Sequence, residues 1–70
     1  MDFYSYEVNY NNCPDTFTYY FYANSDEEVA QATGVDVDLI TKCSPEEVKA
    51  MRKARKHYDI VLNGTLVEVV

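Results

Sequence analysis

Apolar and polar residues alternate over Asp2 to Tyr10, with Tyr4, Tyr6, Val8 and Tyr10 on one side and Phe3, Ser5, Glu7 and Asn9 on the other. A period of two marks a half-buried strand, and the first set is expected to face the core. Asn11-Asn12-Cys13-Pro14-Asp15 is a run of turn formers, and the aromatic stretch Thr16 to Ala23 returns from it, so the first third of the chain reads as a hairpin. On its second strand Phe17, Tyr19, Phe21 and Ala23 make the better core face. Tyr20 and Tyr22 are left on the other face, where they offer large apolar area with a polar tip at low side-chain entropy cost, as interface residues do.

The pattern then becomes helical. Ser25 opens a capping box with Glu28, Asp26-Glu27-Glu28 place negative charge in the first turn, Val29, Ala30 and Ala32 form a small inward face, and Gly34 ends the segment. Val35, Val37, Leu39 and Ile40 supply apolar anchors over a stretch that reads either as one further helical turn, capped by Asp36 or Asp38, or as extended chain. The sharpest signal is Ser44 to Gly64. Ser44 suits the cap, Pro45 the first helical position, and Glu47 the reciprocal place of a capping box.

At 100° per residue, Val48, Ala50, Met51, Ala54, Tyr58, Val61 and Leu62 fall in one half of the wheel, against Lys49, Arg52, Lys53 and Lys56 in the other. Arg55 lies inside the apolar arc, snorkelling. This phase predicts a main helix to about Leu62 with Asn63 or Gly64 as a left-handed cap. The competing reading makes Asp59 to Leu62 the first arm of an Asn-Gly hairpin. Thr65 to Val70 is β-branched and closes the chain as a strand. The expected fold is α+β: a small ββααβ domain over residues 1–70, a three-stranded antiparallel sheet with both helices packed on one face.

Composition limits the function. A chain of 70 residues buries about 60% of the surface its unfolded form exposes, which disfavours a large enclosed active site. The longest apolar runs cannot span a bilayer, and the acidic, tyrosine-rich start has neither the basic region nor the apolar core of a signal peptide, so the host cytosol is the expected location. Cys13 and Cys43 lack CxxC spacing and read as two free thiols rather than a disulfide, and with His57 as the one histidine no zinc site is expected. His57 is expected on the helix surface near its C-terminus.

Charge is unevenly distributed. Residues 1–47 hold ten carboxylates (Asp2, Glu7, Asp15, Asp26, Glu27, Glu28, Asp36, Asp38, Glu46, Glu47) against Lys42, a balance of −9; Lys49, Arg52, Lys53, Arg55 and Lys56 against Asp59 and Glu68 give +3. No Gly-rich phosphate loop, serine elbow or base paired to either cysteine is present, and the acidic pairs Glu27-Glu28 and Glu46-Glu47 are explained by helix capping, so no catalytic role and no cofactor are expected.

Two resemblances bear on function. Asp26 to Cys43 resembles a helix-turn-helix at Ala30, Gly34, Val35, Ile40 and Cys43, which implies a DNA-binding or transcriptional accessory role. Its would-be recognition helix begins Val35-Asp36-Val37-Asp38, and carboxylates against phosphates oppose the counterion release that drives DNA affinity. The order of an aromatic hairpin, a short acidic helix, Gly34-Val35-x-Val37, a second helix and Asn63-Gly64 before a final strand resembles the small acidic phage-encoded anti-CRISPR proteins, in particular a type I-F inhibitor.

That resemblance implies binding to a Cas subunit where target DNA docks. The residues themselves point the same way, because spaced carboxylates imitate phosphate charge and arginine-rich sites hold carboxylates bidentately. The expected partner is a protein with a basic surface, met by Asp26, Glu27, Glu28, Asp36, Asp38, Glu46 and Glu47 with Tyr20 and Tyr22 as anchors. A third reading is an assembly protein dimerising through its tyrosine-rich sheet or the edge of strand 65–70.

Overall fold

Strand β1 (Asp2–Asn9) and strand β2 (Thr16–Ala23) form the expected antiparallel hairpin, with Asp2 opposite Ala23 and Asn9 opposite Thr16. The structure, a computed structural model, describes residues 1–9 and 14–67. Tyr10, expected to face inward, Asn11 to Cys13, expected as a turn, and Glu68 to Val70, expected to end the last strand, lie outside the described residues.

Helix α1 (Asp26–Thr33) starts and stops where the sequence signals it. Ser25 Oγ accepts the Glu28 N–H at 3.3 Å, and Gly34 takes the left-handed conformation (φ 77°), its N–H donating to the Ala30 carbonyl at 2.8 Å. The segment left open between helix and strand is partly each. A 3₁₀ turn at Val37–Leu39 is capped by the Asp36 side chain, and Thr41–Lys42 then form strand β3 against β1. Leu39, expected as an anchor, is 66% exposed. A recognition helix does not form over this segment, so Asp26 to Cys43 departs from the helix-turn-helix it resembles.

Helix α2 carries the full capping box: Glu47 N–H donates to Ser44 Oγ at 3.2 Å and Ser44 N–H to Glu47 Oε1 at 3.5 Å, with Pro45 as its first residue. It spans Pro45–Lys53 and does not reach Leu62. Arg55 takes a left-handed φ of 54°, its N–H donates to the Arg52 carbonyl and the Lys56 N–H to the Met51 carbonyl, both at 3.1 Å. These two bonds make a Schellman stop with arginine where glycine is usual. Arg55 is thus an exposed cap residue rather than a snorkelling side chain.

The chain beyond the stop is the hairpin. Strand β4 (Tyr58–Leu62) turns at Asn63 (φ 53°) and Gly64 (φ 72°) into strand β5 (Thr65–Val67). Positive φ at both residues is the type I′ geometry that Asn-Gly favours. The sheet has five strands in the order β3-β1-β2-β4-β5, antiparallel except for β2 with β4, so the expected three-stranded antiparallel sheet is corrected to a five-stranded mixed one within the α+β class.

The helices lie on opposite faces of this sheet rather than together on one. Tyr4, Phe21, Ala23 and Val61 pack with Val29 of α1 and with Ile40; Phe3 packs with Met51 of α2 and Cys43, joined by Tyr20, Tyr22 and Tyr58. Adjacent residues such as Phe3 and Tyr4 are therefore both buried, one per face. Val29 and Val61 are fully buried, worth about 1.5–3 kcal/mol each in apolar burial.

Candidate functional site: an acidic layer opposed to a basic one

A sheet covered on both sides separates the charges that the sequence separates in order. Asp26, Glu27 and Glu28 form the first turn of α1, and Asp36 caps, and Asp38 lies within, the 3₁₀ turn that leads into Ile40, itself packed in the α1-side core. Lys49, Arg52 and Lys53 lie on α2, with Arg55 and Lys56 just beyond it, over the other face. The five carboxylates on the α1 side and this basic set are thus held in different layers of the molecule.

The α1-side carboxylates are not neutralised internally. Among the described residues the ion pairs are Lys42 with Asp2 at 3.6 Å and His57 with Asp59 at 3.2 Å, so none of the five takes part in one. Two of them work locally: Glu28 Oε2 accepts the Asn24 N–H and Asp36 Oδ1 the Asp38 N–H, both at 3.1 Å. Glu27, Asp36 and Asp38 are exposed, and Asp26 and Glu28 half-buried.

The remaining expected site residues sit elsewhere. Glu46 and Glu47 are exposed at the start of α2, on the opposite face from Asp26 to Asp38, and Glu47 is committed to the capping box. Tyr20 and Tyr22 are half-buried beneath α2 instead of forming an open tyrosine face. Tyr22 lies with its ring centroid 4.6 Å from Phe3 and meets Tyr58 edge-on at 6.5 Å. Phe17 and Tyr19, expected in the core, are 45% and 40% exposed because α1 covers the Phe21 and Ala23 end of β2. His57, expected on the helix surface, is exposed but lies in the connection beyond the end of α2 instead.

The α2 face holds features that periodicity did not expose. Phe3 is enclosed by Tyr22, by Tyr58 edge-on at 5.1 Å, and by the Arg52 guanidinium 5.5 Å above its ring. Cys43 is a free, buried thiol whose pKa is pushed up, first by burial and then by the Glu47 charge, against a hydrogen bond with Ser5 that pulls it down. Burial and the nearby charges of Asp2 and Asp26 raise the Tyr4 phenol likewise, against the pull of Lys42.

Around Phe3 lies a groove of about 530 Å³ bounded by the start of β1, by Lys42 and Cys43, and by α2. Among the described residues no group of three or more His, Cys, Asp or Glu could hold a metal ion, and no helix is long and apolar enough to cross a membrane. The chain matches no protein-family model, no curated protein and no solved structure.

Proposed function

We propose that the protein acts by binding, with the α1 side as a phosphate-like surface that occupies the basic nucleic-acid site of a protein partner. The observation that carries this reading is the layering of charge. Five carboxylates share one side of the sheet without an ion pair among the described residues, while the basic residues of α2 sit on the other. Fixed on helix and turn, such carboxylates meet arginine-rich sites with little ordering cost. A Cas subunit or another nucleic-acid-binding defence protein has the surface this reading requires. Glu46 and Glu47, at the start of α2, stay outside the main contact.

The test uses the residues without a capping duty. Asp26→Asn, Glu27→Gln and Asp38→Asn combined leave the Glu28 and Asp36 caps in place. The wild-type chain, immobilised in lysate of the cells it comes from, should capture a nucleic-acid-binding protein at low salt. Duplex DNA should displace that protein, and the triple variant should fail to hold it. Capture that resists DNA competition, or that survives the triple variant unchanged, overturns the reading.

A further inference from the structure

The groove on the α2 side is chemically the converse of the acidic side. Its floor is apolar: Phe3 and Cys43 are buried, and Tyr22 and Val48 half-buried. Its rim carries two exposed bases, Lys42 and Arg52, and one exposed carboxylate, Asp2. A volume of about 530 Å³ lies within the range of about 300–1,000 Å³ typical of ligand sites and admits one large side chain with part of its backbone.

The bases are placed to receive carboxylates. Arg52 is steadied over the Phe3 ring at 5.5 Å but makes no ion pair among the described residues, so its guanidinium donors remain available. Lys42 meets Asp2 at 3.6 Å in an exposed pair, which is weak and exchanges readily with another carboxylate. Lys49 and Lys53 extend the same sign of charge along α2, the arrangement that steers an anionic partner.

We infer that this groove binds an acidic peptide segment of a partner protein, with one aromatic or large aliphatic side chain seated on Phe3, Tyr22 and Val48 and flanking carboxylates on Arg52 and Lys42. The charge of the rim rejects a basic segment, and the apolar floor requires an anchor that phosphate alone does not supply. The site lies across the sheet from the acidic side, so both are open to occupation at once, and it stands independently of the proposed function.

The experiment titrates the full chain, labelled with ¹⁵N, with the capped peptide Glu-Glu-Phe-Glu-Glu. Saturable amide shifts are expected at Phe3, Cys43 and Val48. Replacing the peptide's phenylalanine by alanine should weaken binding about fivefold or more, and replacing its glutamates by lysines should abolish it. Arg52→Gln, at an exposed position, should weaken the first peptide about fivefold. Absence of saturable shifts at those amides overturns the inference. So does equal binding of the alanine peptide, equal binding of the lysine peptide, or an unchanged affinity in Arg52→Gln.

Discussion

Arg55→Gly should stabilise the protein. Arg55 holds φ at 54° to complete the Schellman stop of α2, and a side chain in that region crowds the following carbonyl at a cost of about 1–2 kcal/mol. Glycine removes the crowding but enlarges the freedom of the unfolded chain, which returns about 0.4–1 kcal/mol. The balance favours the variant by about 0.5–1 kcal/mol, or roughly 3–6 °C in Tm for a domain of this size. Arg55→Ala is the control, because it removes the same charge and exposed stem but keeps Cβ. Both are measured by urea and thermal unfolding followed by circular dichroism. If Arg55→Gly is no more stable than Arg55→Ala, the left-handed cap is not strained and the account of why the helix stops there fails.

Two further outcomes are expected. Gly64→Ala places a Cβ 2.6 Å from the Gln31 side chain at a φ of 72°, so it should destabilise by about 1–2 kcal/mol; Gln31→Ala in the same background should recover part of this in denaturant melts, since the colliding atoms end a flexible side chain, and no recovery would refute the contact. Cys43 holds its proton more tightly folded than unfolded, so its contribution is complete below the ordinary thiol range of about 8.5 and is lost as pH rises towards the raised value. Stability should therefore fall above that point. Cys43→Ala should flatten that decline, and an unchanged slope would exclude the buried thiol as its source.

Local chemistry was legible residue by residue. Ser25, Gly34, Ser44, Pro45 and Glu47 all perform the capping duties their types announce, because a cap depends on a few neighbouring atoms. The end of α2 was hidden because its stop uses Arg55 in place of glycine, while Val61 and Leu62 fall by coincidence in helical phase. β3 has two residues and no periodicity of its own; it exists because β1 offers it an edge at Tyr4 and Ser5. Tyr20 and Tyr22 lie on the face opposite Phe21 and Ala23, as the alternation predicts, but are half-buried beneath α2 for a tertiary reason. A strand pattern shows that two faces differ, but not that a second helix crosses to cover the polar one. The acidic side was half legible: the carboxylates were plain, and their separation from the bases by a sheet was not.

The parallel pairing of β2 with β4 governs how this chain must assemble. The β4–β5 hairpin closes through the Asn63-Gly64 turn, but the chain between the two hairpins lays α1 over one face, passes β3 along the far edge, and returns as α2 over the other. Joining the hairpins at Tyr20–Tyr58, Phe21–Asp59 and Tyr22–Ile60 is therefore a long-range event, as the pairing of Tyr4 with Lys42 also is, and loop-closure entropy makes such events slow. Until that seam forms, Phe21 and Val61 lack each other and Tyr58 lacks Phe3. The two cores, one on each face, both depend on the single strand β4, through Val61 and Tyr58.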